Sequence, residues 1–249
     1  MRSGKSHRRR LLEELGRVRP DLADPEGVIR HGWVLVDGRI VANPASLVPR
    51  GASVVVRPPR RPRGTRKLAW ALASFGISVH GRVALDVGAA AGGFTIALLE
   101  AGARRVYAVD VGHGQLLGSL RANPRVVNLE RVNLAELDRS LVPDRIDVIS
   151  LDLSYLSVAS AADQLAVLPL APEADLVALV KPMFELGLAE PPTARSLLDH
   201  AVTSAGRGLD RAGWRVVGRV VSPIRGSRGA VEFFVHARWG GRPADSGNR

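Results

Sequence analysis

From about residue 67 onward, short apolar runs alternate with stretches of helical periodicity, and this alternation limits the folds that the chain can adopt. The apolar runs predict strands at about residues 83–87, 105–109, 126–129, 147–151 and 176–180. Helices are predicted near residues 67–76, 93–101, 114–121, 158–166 and 193–212. Strands that are separated by helices pair in parallel, because each helix returns the chain to the same end of the sheet.

Two further strands, at residues 214–221 and 231–237, have no helix between them, which predicts an antiparallel pair at the end of the chain. The sequence therefore predicts an α/β fold with a doubly wound, seven-stranded Rossmann-like sheet. Its last strand is expected to be antiparallel and to form a reversed edge.

The first quarter of the chain differs from the rest in both pattern and charge. Residues 1–66 hold 15 of the 35 Lys and Arg residues but only 6 of the 24 Asp and Glu residues. A general compositional bias toward arginine would raise the positive charge of the whole chain. A local excess of positive charge is instead typical of a domain that binds a polyanion such as RNA. Residues 8–15 predict a helix, 24–32 a helix or turn, and 52–56 a strand. Residues 33–41 predict a hairpin that turns at Asp37-Gly38.

Four segments follow from this pattern. Residues 1–56 are predicted to form a small, basic α+β RNA-binding domain, and 57–66 a linker rich in Pro and Arg. Residues 67–239 form the α/β domain, and 240–249 are expected to be a disordered tail.

Composition excludes several classes of protein. The chain has no cysteine, so disulfides, thiolate metal sites and a cysteine nucleophile are ruled out. Its six histidines show no metal-ligand spacing, and we expect no metal. No apolar stretch approaches the roughly 18 residues of a membrane span. We therefore expect a soluble protein of the reducing cytoplasm that does not act on membranes.

The turn after the first strand of the α/β domain reads "ALDVGAAAGGFT" at residues 84–95 and predicts a ligand site. Glycine and alanine let a ligand approach the backbone closely. The turn lacks the Gly-x-Gly-x-x-Gly pattern of dinucleotide sites and the Gly-Lys-Ser/Thr of a P-loop. Asp86, at the end of the strand, would also repel a pyrophosphate. A ligand without phosphate fits this turn better.

Polar residues after the next two strands extend this candidate site. Asp110 follows the second strand, where a carboxylate can accept the hydroxyls of a ribose, and Asn133 follows the third, within reach of an adenine edge. The series suits S-adenosylmethionine. A purely structural alternative is that the glycines serve helix–strand packing and that Asp110 caps a helix. The candidate cofactor-binding residues are Asp86, Gly88, Ala89, Gly92, Gly93, Phe94, Asp110, Val111, Asn133 and Asp152.

Four charged residues are predicted to meet at the carboxyl edge of the sheet. Asp152 and Lys181 follow the fourth and fifth strands, and a buried lysine at that edge needs a partner such as Asp152. Glu232 lies within the apolar run of the last predicted strand, and Lys67 opens the first helix of the domain. A surface ion pair could explain any one of them, but the convergence of all four favours a catalytic site.

Several motifs resemble the TlyA family of hemolysins and ribosomal RNA methyltransferases, whose catalytic domain is of the FtsJ type. The motifs are "RKLAWAL", "LDVGAAAGGFTIALLEAGARRVYAVDVGHGQL", "DLSYLS", "LVKPMFE" and "SPIRGSRGAVEFF". The resemblance implies methylation of the 2′-oxygen of ribose in RNA, most simply ribosomal RNA, by a Lys-Asp-Lys-Glu tetrad. That tetrad falls here on Lys67, Asp152, Lys181 and Glu232.

The resemblance also implies that the N-terminal domain is like the RNA-binding domain of a ribosomal small-subunit protein, with a degenerate first helix. Departures from the family pattern, such as Met183, Ala230 and the all-alanine centre of "GAAAGG", indicate a divergent member. Alternatives remain open: a methyltransferase acting on a small metabolite, a membrane-lytic protein as the hemolysin name implies, or an RNA-binding protein that has lost catalysis.

Overall fold

The computed structural model describes residues 8–57 and 62–241, which fall into two compact units that divide between Arg61 and Pro62. The elements of the N-terminal unit are β1 (Arg8–Arg10), α1 (Leu11–Val18), α2 (Pro25–Arg30), β2 (Val34–Val36), β3 (Arg39–Ile40), β4 (Leu47–Pro49) and β5 (Val54–Val56).

The N-terminal unit is built from a three-stranded sheet, a two-stranded ribbon and two short helices. Its sheet has the order β3-β2-β5, and β1 pairs with β4 in the ribbon. The predicted hairpin is confirmed, because β2 pairs with β3 across Asp37 and Gly38. Both turn residues have positive φ, at 48° and 79°, as a type I′ turn requires. The core packs around Leu11, Leu15, Ile29, Val34, Val36 and Val48.

The helix predicted at residues 8–15 begins three residues later, and this part of the prediction was wrong. Arg8–Arg10 forms β1, which pairs with Leu47–Pro49, a strand that the sequence pattern did not reveal. The helix then continues through Gly16 to Val18. A glycine inside a helix costs only about 1 kcal/mol, and the burial of Leu11 and Leu15 offsets it.

The second unit contains a seven-stranded sheet with helices on both faces. Its elements are α3 (Arg63–Phe75), β6 (Val83–Val87), α4 (Gly93–Glu100), β7 (Arg105–Asp110), α5 (Gly118–Arg121), β8 (Val126–Glu130), β9 (Ile146–Leu151), α6 (Val158–Leu165), β10 (Leu170–Val180), α7 (Pro182–Glu185), α8 (Arg195–Arg211), β11 (Trp214–Val221) and β12 (Phe233–Trp239). Short 3-10 turns cover Leu134–Glu136 and Ser227–Gly229.

The strand order is β11-β12-β10-β9-β6-β7-β8, and β12 is antiparallel to both of its neighbours. The predicted α/β sheet with an antiparallel last strand is therefore confirmed. The expectation of a reversed edge was wrong, because β12 lies between β10 and β11. Burial explains this order: residues 234–237 of β12 are buried on both faces, whereas β11 alternates between exposed and partly buried residues, as an edge strand does.

The side chains of successive strand residues alternate between the two faces of the sheet, and each face packs into its own hydrophobic core. Helices α3 and α4 cover one face, where Leu68 and Leu98 pack with Phe234. Helices α6 and α8 cover the other, where Leu165 and Leu209 contribute to a core with other strand residues. Since both faces are covered by helices, the strands read as nearly continuous apolar runs.

Four predicted boundaries differ from the structure. Helix α3 begins at Arg63, so residues 63–66 belong to the helix and not to the linker. Pro62 stands just before the first turn, where the missing N–H of a proline costs no hydrogen bond. Helix α5 covers only Gly118–Arg121 of the predicted 114–121. Strand β10 begins at Leu170 and carries a register shift before Asp175. Strand β12 begins at Phe233, so Glu232 precedes the strand.

Three of the predicted segments lie partly outside the described residues. The residues concerned are 1–7 of the N-terminal domain, 58–61 of the linker and 242–249 of the tail.

Candidate functional site

The turn between β6 and α4 requires glycine at the position where it meets the end of β9. Gly88 has a φ of +85°, and a Cβ added there would overlap the backbone carbonyl of Asp152. Gly92 also has a positive φ, and its added Cβ would overlap the side chain of Leu120. The turn therefore adopts a conformation that L side chains rarely take, and its backbone stays open to close approach.

Asp110, the last residue of β7, ties this turn to the next one. One of its carboxylate oxygens accepts a hydrogen bond from the backbone N–H of Ala90 at 2.8 Å, and the other accepts from Gly112 at 2.7 Å. Each carboxylate oxygen has a second lone pair, so the side chain can still accept hydrogen bonds from two hydroxyl groups of a ligand.

A cavity of about 180 Å³ lies at this carboxyl edge, and we call it the turn cavity. It is lined by Val87, Gly88, Ala90, Val109, Asp110, Val111, Val132, Asp152, Leu153, Ser154 and Tyr155. A smaller neighbouring hollow shares Gly88, Ala90 and Asp152 with it and adds Ala89, Gly93 and Phe94. Seven of the ten candidate cofactor-binding residues therefore line one of the two spaces.

Asp86 is placed beneath the turn and lines neither space. Its fully buried carboxylate accepts hydrogen bonds from Thr95 Oγ1 at 2.6 Å and from Ser150 Oγ at 2.9 Å. Burial raises the pKa of Asp86 to about 6, and the two hydroxyl donors only partly oppose this rise. In this structure Asp86 joins β6 to α4 and β9.

The other two candidate residues also have structural contacts. Gly92 is the residue that precedes α4. The side chain of Asn133 accepts a hydrogen bond from the backbone of Ala135 at 3.1 Å, and Glu136 reaches back to the Asn133 backbone. This capping box is signalled by the Asn-x-x-Glu pattern in the sequence. Val132, beside Asn133, lines the turn cavity instead.

A second cavity of about 260 Å³, the lysine cavity, contains all four residues of the predicted tetrad. It is lined by Arg63, Lys67, Asp152, Ser154, Lys181, Pro182, Met183, Phe184, Pro192, Arg225, Gly226, Ser227, Ala230, Val231 and Glu232. Asp152 and Ser154 line the turn cavity as well. The two cavities therefore meet at the end of β9.

Lys181 lies directly after β10 and is held by the residues that follow β9. Its Nζ lies 2.5 Å from Oδ1 of Asp152, which confirms the predicted pair, and it donates a hydrogen bond to Ser154 Oγ at 2.8 Å. The ring of Phe184 has its centroid 5.8 Å from the same Nζ, within the range of a cation–π contact.

Lys67 and Glu232 form a second ion pair, which is almost fully buried. The Lys67 amine hydrogen bonds to Glu232 Oε2, and the two residues are 8% and 5% exposed. A Cβ added to Gly226 would overlap the Glu232 carboxylate, so this glycine lets the loop before β12 close over the pair. Two buried charges of this kind persist only as partners.

Sequence reasoning missed several residues of the lysine cavity, among them Arg63, Ser154, Arg225 and Gly226. Ser154 had a usable signal, because it stands two residues after Asp152 in the quoted motif "DLSYLS". Arg63 was assigned to the linker, and Arg225 and Gly226 to a connecting loop, so their convergence on Lys67 and Glu232 depended on tertiary structure.

This arrangement can position a nucleophilic group in the lysine cavity against a ligand in the turn cavity. Within residues 8–57 and 62–241, no group of three or more His, Cys, Asp or Glu residues could hold a metal ion. In the same described part of the chain, no helix is both long and apolar enough to cross a membrane.

Comparison with known proteins assigns the chain to a family. Residues 60–239 match the family described as FtsJ-like methyltransferase. Over 233 residues, the chain is 40% identical to the 16S/23S rRNA (cytidine-2′-O)-methyltransferase TlyA of Mycobacterium tuberculosis, which covers 90% of this chain and 85% of that protein. It is also 34% identical over 223 residues to Hemolysin A of Brachyspira hyodysenteriae, with coverage of 85% and 91%.

The fold is likewise similar to a solved structure from Streptococcus thermophilus, of a protein assigned as a hemolysin. The TM-score is 0.70 at 28% identity, and the match covers 96% of this chain and 90% of that one. The chain therefore belongs to the TlyA family, and its second unit is an FtsJ-like methyltransferase domain.

Proposed function

We propose that this protein is an S-adenosylmethionine-dependent RNA methyltransferase that methylates the 2′-hydroxyl of a ribose, with ribosomal RNA as its substrate. The observation that carries the proposal is the meeting of the two cavities at Asp152, which lines both and holds Lys181. The cytidine-2′-O specificity in the name of the Mycobacterium tuberculosis relative supports the choice of acceptor. Such a substrate places the enzyme in the cytoplasm.

The turn cavity has the chemistry that S-adenosylmethionine needs. Asp110 keeps acceptor capacity for the two ribose hydroxyls, and the positive φ of Gly88 leaves its backbone uncovered. Val111 and Tyr155 offer an apolar wall for an adenine. Asp152, which lines the same cavity, would offer negative charge to a sulfonium bound there. Asp86, Gly92 and Asn133 would support this site through the backbone they fix rather than through direct contact.

The second step concerns the acceptor hydroxyl in the lysine cavity. S-adenosylmethionine supplies an electrophilic methyl group on a sulfonium, so the protein's task is to orient the attacking oxygen and to receive its proton. As a neutral amine, Lys181 can accept that proton, while Asp152 fixes the position of the amine. The buried Lys67–Glu232 pair lines the same cavity and holds its two charges in fixed, preorganised positions.

The use of lysine in this chain supports an amine function at these positions. Only three of the 35 Lys and Arg residues are lysines, at positions 5, 67 and 181, and two of them line the lysine cavity. Arginine cannot lose its proton in a protein, whereas lysine can. A chain that uses arginine almost everywhere else therefore keeps lysine where a transferable proton would be required.

The N-terminal unit supports RNA as the acceptor. Several of its arginines are exposed, and Lys and Arg outnumber Asp and Glu by nine over residues 1–66. Contacts from exposed arginines to phosphates give affinity without sequence specificity and make binding weaken with added salt. The exposed arginines are Arg8, Arg10, Arg17, Arg30, Arg39, Arg50 and Arg57.

The proposal is tested by measuring transfer of labelled methyl from S-adenosylmethionine to ribosomal subunits and to free ribosomal RNA. We expect label in RNA with the wild-type protein and a loss of at least 100-fold with Lys181→Met. Arg219→Met, which removes an exposed positive charge from the edge strand β11, serves as the matched control and should keep wild-type activity. Transfer to small metabolites but not to RNA would overturn the proposal.

A further inference from the structure

Ser154 occupies a position that no other hydroxyl residue shares among the described residues. It lines both the turn cavity and the lysine cavity, and its Oγ accepts a hydrogen bond from Lys181 at 2.8 Å. It follows Asp152 by two residues, so the end of β9 places a carboxylate and a hydroxyl beside the same amine.

The two contacts act on the Lys181 amine in different ways, because one is an ion pair and the other is a hydrogen bond. A neutral amine has two N–H groups and one lone pair, and an ammonium has three N–H groups. Asp152 Oδ1 lies 2.5 Å from Nζ as an ion-pair partner but accepts no hydrogen bond from the described residues, whereas Ser154 Oγ accepts one N–H at 2.8 Å. The hydrogen bond to Ser154 therefore restricts where the other N–H and the lone pair of the neutral amine can point.

The ion pair alone would leave the direction of this lone pair undefined. Attraction to Asp152 holds the amine in place but does not fix its rotation about the Cε–Nζ bond. The directional hydrogen bond to Ser154 limits this rotation. Since the hydroxyl carries no charge, it can orient the amine without placing a second negative charge beside it.

We propose that Ser154 is a positioning residue, which orients the Lys181 amine so that its lone pair faces the acceptor hydroxyl. The inference rests on the proposed function, because it assigns Ser154 a part in the same proton transfer. Ser154 acts through Lys181, and its hydroxyl hydrogen stays available to a ligand in either cavity.

The pH dependence of the reaction separates this role from a structural one. The charged groups that line the lysine cavity are Arg63 and Lys67 from α3, Asp152 after β9, Arg225 from the loop after β11, and Glu232 before β12. None of them is altered by a change at position 154. A shift in the pH profile of kcat after such a change therefore reports on Lys181 itself.

Three substitutions at position 154 test the proposal. Ser154→Ala removes the oxygen and should lower kcat roughly 10- to 100-fold, with little change in the KM for RNA or in the Kd of S-adenosylmethionine. Ser154→Thr keeps the oxygen on an exposed residue and should restore most of kcat. Ser154→Asp adds a second carboxylate and should move the acidic limb of the kcat profile to higher pH.

Ser157→Ala is the matched control from the same segment. Ser157 caps α6, where its Oγ accepts a hydrogen bond from the backbone of Ser160. Its loss should lower the thermal midpoint but leave the pH profile of kcat unchanged.

The inference is overturned if Ser154→Ala keeps the wild-type kcat and pH profile, or if it loses S-adenosylmethionine binding together with kcat. The second result would assign the serine to the cofactor. The wild-type reaction distinguishes these failures from failure of the proposed function, which would show as no methyl transfer to RNA before any variant is compared.

Discussion

Asp152 Oδ1 lies 2.5 Å from Nζ of Lys181, and each residue is the first one after a strand, β9 and β10 respectively. These strands are parallel neighbours, with Ala178 paired to Leu151. The ion pair is thus a direct consequence of the register between two central strands. It lies where the glycine-rich turn also ends, which brings a charged amine to the edge at which an open α/β sheet binds its ligand.

The Lys67–Glu232 pair is expected to affect stability and activity separately. Glu232→Ala leaves the buried Lys67 amine without its carboxylate and should lower the free energy of unfolding by about 3–5 kcal/mol. The double variant Lys67→Met with Glu232→Leu removes both charges and should recover most of that loss in urea unfolding. Methyl transfer should remain impaired in both variants. A stable double variant with wild-type activity would show that the pair is only structural.

Gly88→Ala should abolish cofactor binding because its Cβ would overlap the Asp152 carbonyl. Gly81→Ala is the matched control, since Gly81 has a similar positive φ of +72° but open space around an added Cβ. Both variants carry the left-handed strain of about 1–2 kcal/mol, so both should unfold at lower urea. Calorimetric titration with S-adenosylmethionine should show wild-type affinity for the control only. Equal affinity in the two variants contradicts the placement of the cofactor on this turn.

Asp86 is expected to make stability depend on pH in a defined direction. Its folded pKa of about 6 lies above the ordinary value of 3.8, so between these values the native state binds a proton that the unfolded state lacks. Binding of this proton therefore stabilises the native state by about 3 kcal/mol below pH 3.8. This stabilisation is lost as the pH rises through 6.

Asp86→Asn keeps an oxygen that Thr95 and Ser150 can donate to, but it does not titrate. The difference in unfolding free energy between the wild type and this variant should therefore change between pH 4 and pH 7, while the shared contributions of other carboxylates cancel. Urea unfolding at several pH values measures it. A difference that stays constant over this range would mean that Asp86 is ionised throughout.

Phe184 is expected to bind a base of the RNA substrate. This residue is 41% exposed and lines the lysine cavity beside Lys181. Base–aromatic stacking contributes about 1–3 kcal/mol, so Phe184→Ala should raise the KM for RNA roughly tenfold with no loss of stability. Phe184→Trp should retain the affinity. Leu188→Ala, at a residue 37% exposed that does not line the cavity, is the control, and an equal effect from it would contradict the assignment.

The positions of Asp152 and Lys181 could be predicted from the sequence because strand ends are readable and parallel strands end at one edge. The pairing of Lys67 with Glu232 could not be predicted in this way. Lys67 lies in the second turn of a helix that begins earlier than its proline-rich start indicated, and Glu232 lies in a loop before β12. Their contact joins residues 165 positions apart, and nothing local specifies it.

The place of β12 and the contacts of Asn133 show two further limits. Periodicity identified β11 and β12 and their antiparallel pairing, but not which of them lies at the edge; the burial of β12 on both faces decides this. For Asn133, a rule about strand ends predicted a ligand contact, while the local Asn-x-x-Glu pattern predicted a cap. In the structure the capping hydrogen bonds are formed, because both partners lie within three residues of each other.

The atom of the RNA that receives the methyl group distinguishes methylation of a ribose from methylation of a base. After reaction of the wild-type protein with ribosomal RNA, the RNA is digested to nucleosides and analysed by mass spectrometry, alongside RNA treated with Lys181→Arg. Arginine can keep the charge beside Asp152 but cannot accept a proton. We expect 2′-O-methylated ribose from the wild type and at least 100-fold less from the variant. Methylation on a base, or equal 2′-O-methylation by both proteins, would contradict it.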